Sequence, residues 1–235
     1  MTELLAADSW LVADGHVRAV DRHWARFSAA CGELGVAPEA LATFRARVER
    51  AVPAHGRWFP RIELREDGEL AVLVRPAPAR EPTVVAWIAD MPDPRRSPRR
   101  KGPDLDRLAA LRERAAAHGA GEAVLVDTDG RLLEGAFTSL LWWEGETLCV
   151  VSDDAPILPG ITRALLIELA SERDTPVAQR RPALEELVGR ETWLVSALHG
   201  VRTVARWAGG TPAGPAPRAA TWQRLLDDFA GPRHT

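Results

Sequence analysis

Nine residues in the middle of the chain, Pro92-Asp93-Pro94-Arg95-Arg96-Ser97-Pro98-Arg99-Arg100, limit the fold more than any other stretch. Each proline removes a backbone donor and restricts its predecessor, so the segment excludes helix and reads as an extended basic linker. The chain is therefore expected as two lobes: a small one over residues 1–92, a linker over 93–100, and a larger one over 101–235. A length of 235 residues is enough for two cores.

In the first block, Leu4–Leu11 and His16–Ala19 flank Ala13-Asp14-Gly15, the pattern of a hairpin. Apolar spacing predicts amphipathic helices over Asp21–Leu34 and Pro38–Ala51. Trp58–Leu64 and Leu70–Arg75 alternate around Glu66-Asp67-Gly68, a second hairpin, and Thr83–Ile88 reads as a strand. In the second block, Asp104–His118, Thr162–Arg173 and Ala219–Phe229 read as helices, and Pro182–Leu187 as a helical turn. Ala123–Asp127, Leu132–Leu133, Leu140–Trp143 and Leu148–Ser152 read as strands of an antiparallel sheet, with Val177–Gln179 and Trp193–Ser196 as short additions. Strands and helices are partly segregated, which places the chain in the α+β class.

The basic residues are 29 Arg and a single Lys, Lys101, and the chain has no Asn and no Tyr. All three missing or rare residues use AT-rich codons, so a GC-rich coding sequence accounts for the bias. Such drift spares a lysine only where arginine cannot substitute. Arginine stays protonated, whereas lysine can lose its proton and attack a carbonyl. Lys101 sits where one block gives way to the next, the kind of place where ligand clefts concentrate.

Other residues gain meaning beside it. Glu134 follows 33 residues later on a short strand; taken alone it reads as an exposed strand position. Leu158-Pro159-Gly160-Ile161-Thr162-Arg163 opens a helix whose free N–H groups, from Ile161 and Thr162, and whose hydroxyl at Thr162 suit a phosphate. Arg26, in His23-Trp24-Ala25-Arg26-Phe27, could give a bidentate phosphate contact or belong to a solvated face.

Together these segments resemble the class IV aminotransferase family, the fold-type IV group of pyridoxal 5'-phosphate enzymes. That group includes branched-chain and D-amino acid aminotransferases and 4-amino-4-deoxychorismate lyase. The resemblance runs from Asp14-Gly15-His16-Val17-Arg18 through His23–Phe27 and Lys101-Gly102-Pro103-Asp104-Leu105. It continues through Glu122–Asp127 with Asp129-Gly130 and Glu134-Gly135, then Leu158–Arg163 and Trp193–Val201. It implies a two-lobed, D-amino acid aminotransferase-like α+β fold in which the N-terminal lobe is trimmed. Lys101 then holds the cofactor as a Schiff base and Glu134 faces its pyridine nitrogen. Arg26, Ile161, Thr162 and the Ala197 N–H bind its phosphate. Arg95 or Arg96 clamps a substrate carboxylate, and Ser9 lies near the cofactor. The resemblance also implies a homodimer acting on a small, amino acid-like substrate.

The chain departs from the family pattern at Ser139, where asparagine is usual, and at Ala197, where aminotransferases often carry a hydroxyl. Leu105 stands where many members place a tyrosine. Ser196-Ala197-Leu198 and the missing tyrosine resemble the lyase more than the transaminases. The readings in order are therefore pyruvate release from 4-amino-4-deoxychorismate, amino acid transamination, and a non-catalytic binding protein of the same fold.

Other classes find no support. The net charge of −3 is mixed along the chain, which argues against nucleic acid. No apolar run approaches the roughly 20 residues that span a bilayer, and Met1–Trp10 lacks the form of a secretory signal. The six histidines show no metal-ligand spacing, and two cysteines make neither a disulfide framework nor a CxxC pair, so a reduced, cytoplasmic protein without metal is expected. Gly119-Ala120-Gly121 lacks the remainder of a dinucleotide loop, and no GxSxG elbow occurs.

Overall fold

A computed structural model describes residues 3–232. It divides into two compact units. One holds the residues up to Arg80, Arg100–Pro103 and the residues from Asp227 on; the other holds Glu81–Arg99 and Asp104–Leu226.

The first unit opens with β1 (Leu4–Ser9), β2 (Val12–Ala13) and β3 (His16–Arg18), followed by helices α1 (Val20–Glu33) and α2 (Pro38–Ala51). The strands β4 (Arg57–Trp58), β5 (Arg61–Arg65) and β6 (Leu70–Leu73) complete it. Helix α1 buries Val20, His23, Trp24, Phe27 and Cys31, one face of a 3.6-residue period. Helix α2 starts on Pro38 and buries Leu41, Phe44 and Val48. Trp24 meets Phe44 edge-on at 6.0 Å, and Trp10, Ile62 and Leu64 close the core.

The first hairpin is shorter than its sequence suggests. Asp14 and Gly15 both take positive φ, the geometry of a two-residue hairpin loop, but they join only β2 to β3. Leu4–Ser9 pairs antiparallel with β5 instead, in the sheet order β1-β5-β6. The longer pairing sets Ala6 opposite Leu64 and Asp8 opposite Ile62, and the paired stretch is buried on both faces. The hairpin between β5 and β6 forms as expected.

The second unit contains β7 (Thr83–Pro92), α3 (Leu105–Ala117), β8 (Glu122–Val126), β9 (Leu132–Gly135), β10 (Ser139–Glu144) and β11 (Thr147–Val151). Then come α4 (Ile161–Glu172), β12 (Val177–Arg180), a 3₁₀ turn at Leu184–Leu187, β13 (Thr192–Ser196), β14 (Gly200–Trp207) and α5 (Ala219–Asp227). Its eight-stranded sheet has the order β12-β11-β10-β13-β14-β7-β8-β9. The expectation of an antiparallel sheet is corrected here: the sheet is mixed. Strand β7 runs parallel to β8 and β14, and β11 runs parallel to β12. Helix α3 lies between β7 and β8 in the chain and α4 between β11 and β12, and a crossover helix returns the chain in the same direction. Strand β8 is buried along its whole length, and Trp142, Trp193 and Trp207 are wholly buried. A last strand, β15 (Ala230–Pro232), pairs with β3 in the first unit. Among the described residues no helix is long and apolar enough to cross a membrane.

Candidate active site

Within the first unit, Ser9, Arg26 and Lys101 gather around a residue to which the sequence reading gave no role, Asp8. Asp8 lies on β1 with no solvent exposure. His23 and Arg26 stand three apart on α1, so both reach it from one helix face. The His23 Nδ1–H donates to Oδ1 at 2.9 Å, and Arg26 donates through Nε to Oδ2 and through Nη2 to Oδ1, each at 2.9 Å. The Ser9 N–H adds a bond of 2.7 Å to Oδ1. Burial pushes the Asp8 carboxyl up, but the charges of Arg26, His23 and Lys101 together hold it well below the usual carboxylate range. Burial pushes His23 down, against the opposing pull of Asp8. Asp8 thus fixes the orientation of the Arg26 guanidinium. The Ala7 N–H donates to the Lys101 carbonyl at 2.7 Å.

Within the second unit, Glu134 on β9 is 4% exposed. Its Oε1 accepts the Leu158 N–H at 2.7 Å and Arg95 Nη1 at 2.6 Å. Among the described residues, Oε2 accepts no hydrogen bond. Burial raises the Glu134 pKa, opposed by Arg95 and the Leu158 N–H. Arg95, read from sequence as a carboxylate clamp for substrate, is engaged elsewhere: Nε and Nη2 grip both oxygens of Asp93, and Nη2 also donates to the Pro156 carbonyl at 3.0 Å. Its guanidinium orients Glu134. The linker is also folded rather than extended throughout. The buried Asp104 carboxylate accepts the backbone N–H groups of Arg96, at 3.1 Å, and Ser97, at 2.8 Å, and draws the basic segment into turns. The Arg96 guanidinium has no partner among the described residues.

The same unit holds Ile161, Thr162 and Ala197. Helix α4 begins at Ile161 after Gly160, with no side chain capping it. A Cβ at Gly160 would lie 2.4 Å from Ser139 Oγ, so the absence of a side chain lets the start of α4 sit against β10. Ile161 and Thr162 are buried there, and such a helix start is a ready anion site. Ala197 lies in the turn between β13 and β14, where Ser196 Oγ accepts the His199 N–H at 3.2 Å and Gln223 Oε1 accepts the Val201 N–H at 2.7 Å. Beside Glu134, a Cβ at Gly135 would meet Thr138 Oγ1 at 2.0 Å, and that hydroxyl is buried without a partner. A fixed carboxylate with one oxygen open, a close-packed glycine at an uncapped helix start and an orphaned buried hydroxyl together fit a phosphorylated pyridine ring. No group of His, Cys, Asp or Glu among the described residues could hold a metal ion.

Sequence reasoning passed over the anchoring parts: Asp8, Gly102, Asp104 and the pairing of Arg95 with Glu134. Only Asp8 carried a signal, as a lone acid in the apolar strand Leu4–Ser9.

The family model for amino-transferase class IV matches residues 5–207. Among solved structures, the chain is similar to a hypothetical aminotransferase from Mycobacterium tuberculosis in its PLP-bound form. That match has 24% identity and a TM-score of 0.81, and covers 95% of this chain and 87% of that one. It is similar to a Legionella pneumophila protein provisionally assigned as 4-amino-4-deoxychorismate lyase, at 18% identity and a TM-score of 0.80, over 95% and 90%. It is also similar to the Escherichia coli branched-chain amino acid aminotransferase, at 17% identity and a TM-score of 0.78, over 95% and 84%. No protein of curated function matches the sequence. A family match across most of the chain and this shared fold lead to one conclusion: the chain belongs to the class IV aminotransferase family, whose members are pyridoxal 5'-phosphate enzymes.

Proposed function

We propose that this chain is a pyridoxal 5'-phosphate lyase that converts 4-amino-4-deoxychorismate to 4-aminobenzoate and pyruvate. The observation that carries the cofactor reading is Glu134, a buried carboxylate clamped on Oε1 and open on Oε2. When bound, the cofactor supplies an aldehyde that takes up an amine and a ring that draws electrons from the neighbouring carbon. Lys101 is the one side chain that could hold that aldehyde, and its free amine would serve as the general base for the substrate α-proton. Glu134 would hold a proton on the ring nitrogen with its remaining oxygen, while Arg95 and the Leu158 N–H keep the carboxylate from swinging. In the first unit Arg26, oriented by Asp8, would serve as a phosphate-binding side chain; in the second unit the N–H groups of Ile161, Thr162 and Ala197 and the Thr162 hydroxyl would serve as phosphate donors. Arg96 is left to meet the substrate carboxylate, and Ser9 supplies a hydroxyl near the cofactor.

Two features favour elimination over transamination. The chain has no tyrosine to assist at the cofactor, and Ala197 offers no hydroxyl to the phosphate. The fold shared with the Legionella protein supports the same reading. The transaminase reading draws support from a form of the Mycobacterium tuberculosis structure with α-ketoglutarate and PMP bound, at a TM-score of 0.79. One assay separates them. Purified protein is incubated with 4-amino-4-deoxychorismate, with and without a keto acid, and pyruvate is measured. Pyruvate formed without keto acid is the expected result; conversion that requires a keto acid would establish the transaminase. Protein that takes up no cofactor would return the chain to a binding role.

A further inference from the structure

We propose that Gly102 is a positioning residue for Lys101: its missing side chain lets the lysine turn seat directly on the backbone of β1. The inference rests on the cofactor-bearing role given to Lys101 above, and adds what holds that lysine in place.

Arg100–Pro103 groups with the first unit, whereas the residues through Arg99 and from Asp104 group with the second. Lys101 thus sits inside a four-residue excursion of the chain. Two backbone contacts tie this turn to β1. The Ala7 N–H donates to the Lys101 carbonyl at 2.7 Å. One residue on, Gly102 has a φ of +135°, which L side chains rarely adopt. A Cβ there would stand 2.7 Å from both Cα and the carbonyl carbon of Ala6, and 2.8 Å from the Ala7 nitrogen. Carbon atoms pack best at about 3.5–4.0 Å, so any side chain at 102 must push the turn off the strand. Moving the strand in its place would disturb the pairing of Ala6 and Ala7 with Leu64 and Glu63 of β5. Gly68, Gly130 and Gly145 also have positive φ, but a Cβ at each would meet nothing within 4 Å. Those glycines shape turns, whereas Gly102 allows a contact. The flanking ion pair of Arg100 with Glu33, at 2.7 Å, is too exposed to substitute for it.

The test uses the full chain as wild type, Gly102→Ala and Ala7→Pro. Each protein is mixed with pyridoxal 5'-phosphate, desalted and reduced with borohydride. Absorbance before reduction counts the retained cofactor, and peptide mass after reduction counts the cofactor fixed on Lys101. Lys101 is the only lysine, so the label has one side-chain destination. We expect Gly102→Ala to retain the cofactor through its phosphate contacts but to fix it on Lys101 about a hundredfold more slowly, the effect of a displacement near 1 Å. Methylamine should then restore a reducible bond to the retained cofactor. A general loss of stability would instead lower retention and fixation together. A folded Gly102→Ala chain that fixes the cofactor at the wild-type rate overturns the proposal. If that variant does not fold by circular dichroism, Ala7→Pro decides by the same readout. It deletes the anchoring N–H and spares the ladder with β5, because that N–H donates to Lys101 and not to β5. Wild-type protein that fixes no cofactor would overturn the role of Lys101 itself, and is distinguished because wild type and variants then behave alike.

Discussion

Asp8 is fully buried and lies in the field of Arg26, His23 and Lys101. The folded chain keeps its carboxylate charged at pH values where an unfolded chain would protonate it. The resulting stabilisation is complete above the ordinary aspartate value of 3.8 and is lost as the pH falls below it. Asp8→Asn should therefore lower the unfolding free energy at neutral pH by about 1–3 kcal/mol, because it removes the buried negative charge that Arg26 and His23 face. It should also flatten the loss of stability that wild type shows from about pH 5 downward. Urea titrations at several pH values check both, and a variant with the wild-type acid slope would refute the assignment. Arg95 acts in the same way on Glu134. Arg95→Met leaves burial opposed only by the Leu158 N–H, so the already raised Glu134 pKa should climb further. The acid limb of the rate profile should then move to higher pH, as steady-state rates across pH would reveal.

At the scale of elements, the start of α4 depends on its fit against β10. Gly160→Ala drives a methyl into Ser139 Oγ and should weaken cofactor retention by about tenfold, near 1.4 kcal/mol. Ser139→Ala in the same chain removes the obstructing oxygen and should restore part of that loss. Equilibrium dialysis of the two single variants and the double variant tests the coupling. The elements also show which structure could be read without coordinates. Helix α2 runs over Pro38–Ala51, as its apolar spacing and N-terminal proline require. The β5–β6 hairpin likewise follows from alternation around Glu66-Asp67-Gly68. Strand β14 gave no such signal. Its burial does not alternate cleanly, and its neighbours are β13 and the distant β7. The choice of β5 as the partner of β1 was hidden for the same reason, since local pattern says that a strand forms but not what it pairs with.

Over the whole molecule, a single lysine makes chemistry and labelling coincide. Lys101→Arg keeps the positive charge near Asp8 and should leave the thermal midpoint close to wild type. Borohydride should then fix no cofactor on any side chain, which peptide mass would show. A homodimer belongs to the proposed reading, and light scattering should return twice the chain mass of 25.7 kDa. Sequence alone determined the residue kinds on which the proposed chemistry rests and their order: one amine, a carboxylate 33 residues later, and a glycine-led helix start. These were legible because reactivity and turn formation are properties of a residue and its near neighbours. Tertiary structure decided which groups share an environment. Asp8 meets Arg26 across 18 residues, Arg95 meets Glu134 across 39, and Gly102 lies on a strand near the start of the chain. Close packing and the need to partner every buried charge select those encounters, and both act only once distant segments are folded together.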